Sequence, residues 1–470
     1  MKNVVSNAHP YMPNSVDEIK EEMLKATGAK SIEELFEQIP ADHRMKGRLN
    51  LPPQLKSEAA LKRMLADALA KNESCESNLS FLGGGCWQHY VPAVCDEIVT
   101  RTEFLTNVWG SPASDFGRNQ AWFEYTSMLG ELLNMDMVGL PVYSWGCAAG
   151  HAIRMASRLT GRREVLVTKA ICPERLSVIR NYCEPEAMPN HIKVRLVDYD
   201  PKTGLMNLED LKRKLSSKIA AVYFENPTYH GMIETEGAKI AAMARAHGAE
   251  TIVGVDAISL GVLAPPADYG ADMVVGTTQP LGVHMNCGGG VTGFMASRDE
   301  LKYVAEYPTL NISITTTNVP GEWGFGLSMA HQSSYGLRDK GTDWTGNSTY
   351  LWAIANAVYM SLLGPEGFRE VGELIVQQAH YAARKLGEIP GVRIVFPQGF
   401  FKEFVVNYDG TGKSVREINA ALRRHKIFGG HDLSKDFPDL GQSALYCVTE
   451  IHTRADLDRL AGALREVVGR

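Results

Sequence analysis

The chain has 470 residues, 44% hydrophobic and 22% charged, enough for a large core and two or three structural units of ordinary globular composition. Its formal net charge of −6 excludes the broad basic surface that nucleic acid requires, although a small anion could still bind locally. No uninterrupted apolar stretch is long enough to span a bilayer, so no membrane segment is expected.

Met1 to Pro13 carries one lysine and no apolar run, and so has the marks of neither a signal nor a transit peptide. Residues 1–80 are expected to form a helical N-terminal arm. Asn14-Ser15 can cap a helix on which Val16, Ile19, Met23 and Leu24 share a face. Ser31 and Glu34 stand at capping-box spacing and predict a second short helix. After Pro40 and Pro52-Pro53, Leu61, Leu65 and Leu69 predict a third helix over Leu55 to Lys71. From 81 to 345 the pattern alternates. Helices are predicted at Trp122–Leu133, Gly146–Leu159, Leu208–Leu215 and Gly237–His247. Between and after them, β runs are predicted at Glu164–Thr168, Lys193–Val197, Ala220–Phe224, Thr251–Val255, Met273–Val275 and Val291–Met295. Such alternation predicts a large α/β domain with a mainly parallel sheet covered on both faces. From 346 to 470, long helices at Leu351–Leu363 and Phe368–Leu386 precede a small α+β domain. Its strands are predicted at Val392–Phe396, Phe404–Val406 and Ala444–Val448, and its helices at Val415–Arg424 and Ala455–Val468.

The eight cysteines, Cys75, Cys86, Cys95, Cys147, Cys172, Cys183, Cys287 and Cys447, form no CxxC pair, which excludes zinc-ribbon and thioredoxin chemistry. They suit a reduced, cytoplasmic setting, with no metal site expected and Cys147 and Cys287 read as inert buried thiols. The richest segment for chemistry is Thr251 to Gly290. A buried strand delivers Asp256 at its C-terminal end, which in parallel sheets faces the ligand crevice. A carboxylate there can pair with a protonated ring nitrogen, as a pyridoxal cofactor requires, or can be a helix cap or paired crevice carboxylate. A second strand leads to Thr278 and Gln279, then to the flexible Cys287-Gly288-Gly289-Gly290. The turn Ser144-Trp145-Gly146-Cys147-Ala148 enters a helix, where free N–H groups can hold a phosphate. Its small residues equally suit a tight packing contact. Phe81 to Tyr90, with three glycines, Cys86, Trp87, His89 and Tyr90, can line a pocket or an interface. His151 and His230 are candidate ring or substrate contacts, though a lone histidine is more often structural.

Several stretches together resemble one family. Pro13 to Pro40, Leu49 to Pro53, Phe81 to Gly85, His89 to Val94 and Arg101 to Phe104 resemble the opening of glycine dehydrogenase (decarboxylating) subunit 1, the N-terminal half of the P-protein. The resemblance continues at Val255-Asp256, Leu263 to Pro266, Asp268 to Asp272, Gln279 to Gly282, Tyr359 to Pro365 and Phe428 to Gly430. It closes at Cys447 to Glu450 with Thr453-Arg454, so it spans nearly the whole chain. It implies a type I pyridoxal-phosphate-dependent transferase (aspartate aminotransferase-like) fold and work in glycine cleavage. There glycine is decarboxylated and its aminomethyl group passes to the lipoyl arm of the H-protein. It further implies a partner second subunit that carries the Schiff-base lysine and the pyridoxal phosphate, in a dimer or α₂β₂ assembly. With cofactor present, Asp256 is expected near the ring nitrogen and the Ser144 to Ala148 turn near the phosphate. Thr278 or Gln279 is expected near the vacant lysine position.

The lysine count agrees with that division. Aldimine chemistry needs a lysine amine after the strand that follows the aspartate strand, and none occurs from Asp272 to Met295. The next, Lys302, falls on an expected surface helix. Three stretches depart from the family pattern: Trp109 to Gly117, Pro227 to Gly231, and Gln332 to Trp344, where only Arg338, Asp339, Lys340 and Thr342 echo it. All three are expected on loops facing the crevice. They keep open two alternatives: a divergent paralogue acting on another amino acid or amine with a partner subunit, and a scaffold without cofactor.

Overall fold

The computed structural model describes residues 9, 11–47, 49–105, 112–286, 292–328, 337–346 and 348–469, with the side chains of 112–117 and of Arg338 excepted. The glycine run Cys287 to Gly290 lies outside the described residues, as do the first parts of Trp109–Gly117 and Gln332–Trp344. The chain divides into two units, Met1–Glu73 and Ser74–Arg470.

The first unit holds helices Asp17–Thr27 and Glu58–Leu69 and the 3-10 turns Pro13–Ser15 and Glu33–Phe36. Asn14-Ser15 belongs to the first 3-10 turn, so the helix starts after Val16 and not at the expected cap. Ser31 opens a single 3-10 turn. Its Oγ accepts the Glu34 N–H at 3.3 Å, but the Glu34 carboxylate takes the Lys30 N–H at 2.6 Å, so the reciprocal half of the capping box is not made. Ser57 caps the third helix by accepting the Ala60 N–H. None of the described residues up to Glu73 is buried; Leu61, Leu65 and Leu69 form an exposed apolar stripe.

In the second unit seven strands form one sheet. They are β1 (Met137–Val138), β2 (Glu164–Thr168), β3 (Lys193–Val197), β4 (Ile219–Asn226), β5 (Glu250–Asp256), β6 (Met273–Thr277) and β7 (Phe294–Ser297). The order is β1-β7-β6-β5-β4-β2-β3, with β7 antiparallel to both neighbours and the other pairs parallel. Alternate residues feed two cores on opposite faces. Val222, Phe224, Val253, Val255 and Val274 enter one; Ala221, Tyr223, Ile252, Met273 and Val275 enter the other, with the Trp145–Thr160 helix. That is why these strands read as continuous apolar runs. The parallel register sets Asp256 beside Thr277, so the C-terminal strand ends gather at one edge.

The helix expected from Trp122 starts at Pro112, so the described part of Trp109–Gly117 is helical and not a crevice loop; proline suits a first helical turn, where its missing N–H is not needed. The two expected long helices are both present within Tyr350–Gly387, separated by the non-helical Gly364 (φ 59°) just before Pro365. A third core lies under a four-stranded antiparallel sheet. Its strands are β8 (Arg393–Ile394), β9 (Glu403–Asn407), β10 (His431–Asp432) and β11 (Ser443–Cys447), ordered β8-β9-β11-β10. Helices Val415–Arg424 and Arg454–Val468 cover it, each opened by a closed capping box. A hairpin of Asn311–Thr316 and Trp323–Ser328 had no expectation attached. Among the described residues no helix is long and apolar enough to cross a membrane.

Candidate functional site

Asp256 ends β5 at 3% exposure. Its Oδ1 accepts the Ile258 N–H at 3.2 Å, capping the 3-10 turn Ala257–Gly261. Its Oδ2 accepts no aligned hydrogen bond, yet Lys402 Nζ stands 2.7 Å away as an ion-pair partner. Lys402 comes from the residue before β9, so the C-terminal sheet reaches across to the large sheet at this point. The Lys402 ammonium lies 3.5 Å from the centroid of the Trp87 ring and 3.0 Å from His89 Nε2. His89 Nδ1 meets Glu450 Oε2 at 2.7 Å, and Glu450 Oε1 accepts the Tyr90 N–H at 2.7 Å. Burial pushes Glu450 up; its contact with His89, together with the Tyr90 N–H, prevails and holds it at about 2. One buried chain thus runs Asp256–Lys402–His89–Glu450. It joins a strand end, the C-terminal sheet and the Phe81 to Tyr90 loop.

Beside that chain, Glu403 Oε1 accepts the Gly84 N–H at 2.6 Å, and burial pushes its carboxyl up despite the nearby Lys402. Gly84 has φ +92°, and a Cβ on Gly83 would meet Glu403 Oε1 at 2.1 Å, which explains the glycines there. Arg175 is held by both Glu225 oxygens at 2.7 and 2.9 Å and lies under the Trp145 ring at 3.9 Å. An outer crevice of about 330 Å³ opens between the Gly83 to Cys86 loop, the Ser144 to Gly146 turn, Arg175, Thr277 and His431. The space next to Asp256 is about 20 Å³, room for one water in that measure.

Of the expected residues, Ser144 and Gly146 line the outer crevice, and Ser144 Oγ caps the Trp145–Thr160 helix by accepting the Cys147 N–H at 3.2 Å. Gly146 is also a packing glycine, since a Cβ would meet Val178 Cβ at 2.9 Å. Cys147 and Ala148 turn into the core; Cys147 Sγ lies 2.9 Å from the Tyr182 hydroxyl, and burial pushes its thiol up. Thr278 is fully buried on Thr292, while Thr277 takes the place at the crevice wall. Gln279 holds the Trp87 backbone through both its amide atoms, at 3.3 and 3.4 Å. His151 lies outside the crevice lining, bonded to Thr345 Oγ1 at 2.9 Å and against Tyr182; burial lowers it to about 4. His230 is also outside, fully buried among Tyr199, Tyr229, Phe396 and Phe437. Asp343, in the divergent Gln332 to Trp344 stretch, binds Arg154 at 2.8 Å and Arg158 at 2.5 Å.

Lys402 was not among the expected site residues. Its signal is Lys402-Glu403 standing inside the apolar run Phe400 to Val406. A charged pair within a buried strand demands partners.

The family resemblance implies pyridoxal phosphate, and the residues near Asp256 do not fit its ring. The carboxylate is already neutralised by Lys402, and the adjoining space has room for a water but not for a pyridine. Lys402, the lysine that reaches Asp256, is engaged there as a cation and not as a free amine nucleophile.

Residues 9–464 match the family described as glycine cleavage system P-protein. The chain is 37% identical over 469 residues to a "Probable glycine dehydrogenase (decarboxylating) subunit 1" of Staphylothermus marinus, covering 98% of this chain and 99% of that one. A protein of the same name from Desulfitobacterium hafniense is 35% identical over 458 residues, covering 97% and 99%. Among solved structures, a glycine decarboxylase (P-protein) of the glycine cleavage system in inhibitor-bound form is similar at TM-score 0.84 and 32% identity, over 98% and 100% of the two chains. A sphingosine-1-phosphate lyase of Burkholderia pseudomallei, 14% identical with TM-score 0.64 over 90% and 93%, shares the fold alone. The mainly parallel α/β architecture is that of the type I pyridoxal-phosphate enzymes. The chain belongs to the glycine cleavage system P-protein family.

Proposed function

We propose that this chain is the first subunit of a split glycine dehydrogenase (decarboxylating), inactive alone. A second subunit supplies the Schiff-base lysine and carries pyridoxal phosphate. The assembly decarboxylates glycine and passes the aminomethyl group to the lipoyl H-protein. The observation that carries this reading is that the lysine beside Asp256, Lys402, is committed to it as a cation, while the segment from Asp272 to Met295 has no lysine at all. Full-length similarity to proteins named as subunit 1 supports it. With Asp256 already paired to Lys402, this carboxylate has no open side for the protonated ring nitrogen through which a pyridoxal cofactor takes up the electrons of decarboxylation, which supports assigning the cofactor to a partner.

The test is a visible spectrum with pyridoxal phosphate, taken on this chain alone and then mixed with a second P-protein subunit, each before and after borohydride. The expected result is a reducible aldimine in the mixture only, on the partner chain, together with glycine-dependent decarboxylation that needs both chains. Decarboxylation by this chain alone would refute the subunit reading.

A further inference from the structure

We propose that Lys402 is a built-in substitute for the cofactor's ring cation. It holds the charge of Asp256 from within the protein and leaves no seat beside that carboxylate for the ring of a pyridine cofactor. Four observations converge on it. Lys402 Nζ is 2.7 Å from Asp256 Oδ2, with side chains 3% and 5% exposed. The ammonium lies on the Trp87 ring at 3.5 Å, so that aromatic face is already taken by a cation. The remaining space beside it is about 20 Å³. Its other polar neighbour, His89 at 3.0 Å, is anchored to Glu450, so the cation has a fixed seat.

The physical logic is a desolvation argument. A carboxylate buried at a strand end is costly without a cation. In a cofactor-bearing crevice the protonated ring nitrogen can meet that need. Here a lysine carried by the C-terminal sheet meets it permanently, and in doing so fastens that sheet to the large one. The backbone supports the same junction, with Phe401 N–H donating to the Gly231 carbonyl at 3.1 Å. The inference concerns this chain's crevice and stands or falls whether or not a second subunit carries cofactor.

The probe is pyridoxamine 5′-phosphate, which has no aldehyde and cannot attach to surface lysines. Its binding to the full-length chain is followed by calorimetry and by tryptophan fluorescence. Wild type is expected to show no binding. Lys402→Ala removes the cation and its four-carbon stem, and is expected to bind at least about tenfold tighter than wild type. Adding Asp256→Asn to Lys402→Ala removes the ring's anionic partner and is expected to abolish that gain. A Lys402→Ala variant that binds no better than wild type would overturn the proposal and leave the subunit reading intact. Lys402→Met/Asp256→Asn, with neither charge, is expected to recover most of the thermal stability lost by Lys402→Met alone; no recovery would also count against it. A last measurement needs no variant. Wild type treated with pyridoxal phosphate and borohydride is expected to give no phosphopyridoxyl group on the Lys402 peptide, and finding one would overturn the proposal.

Discussion

Replacing His230 with phenylalanine tests how this fold tolerates a buried titratable ring. His230 is fully buried, and neither ring nitrogen has a hydrogen bond. Its neighbours are Phe437 at 4.6 Å, Tyr199 at 5.1 Å and Phe396 at 5.8 Å, centroid to centroid. Burial lowers its pKa from 6.5 to about 3. Between those values the unfolded chain binds a proton that the native state refuses, so stability falls as pH falls through the window. By linkage the loss reaches about 2 kcal/mol at about pH 5 and about 5 kcal/mol below about pH 3. Phenylalanine puts a slightly larger carbon ring in its place and removes both unmatched nitrogens, so the gain from the nitrogens offsets the tighter packing and neutral stability is expected to change by no more than about 1 kcal/mol. The assay is urea unfolding of both proteins at about pH 7.5 and about pH 5, where the variant should lose about 2 kcal/mol less than wild type. An equal acid loss in the two proteins would refute the reasoning, because it would mean that His230 finds a proton-accepting partner or water in the native state.

Two further outcomes follow from the same structure. Gly231 has φ +88°, and a Cβ there would stand 1.8 Å from the Glu403 carbonyl oxygen, so Gly231→Ala should prevent the C-terminal sheet from seating; limited proteolysis should then cut near β9, and an intact, protected chain would contradict this. Arg175→Met leaves Glu225 buried with the Tyr223 hydroxyl as its remaining partner and should cost about 3–5 kcal/mol, whereas Arg175→Met/Glu225→Gln should recover at least half of it in the same urea titration.

Much of the large domain was legible from order alone. Central strands buried on both faces read as apolar runs, as at Thr251–Val255, and the runs at Glu164–Thr168 and at the edge, Lys193–Val197, also lie within strands of the sheet. Asp256 at the end of its strand was legible for the same reason, because the register of a parallel sheet gathers C-terminal ends in one place. Short-range signals were less faithful where two local partners compete. The Glu34 carboxylate takes the Lys30 N–H and not that of Ser31, and Asn14-Ser15 is absorbed by a turn set by Pro13.

What the sequence by itself determined is therefore the layer architecture, the full-length family likeness and the absence of a lysine between Asp272 and Met295. Tertiary structure alone decided what meets Asp256. Lys402 is 146 positions from Asp256 (402 minus 256) and belongs to another sheet, so no local pattern can announce their ion pair. The same holds for His151 and His230. Their residue type advertises chemistry, but packing turned one toward Thr345 and closed the other inside an aromatic box. Periodicity records which face of an element is buried; it does not record which distant side chain will meet a charge there, and that meeting is what sets the chemistry of this crevice.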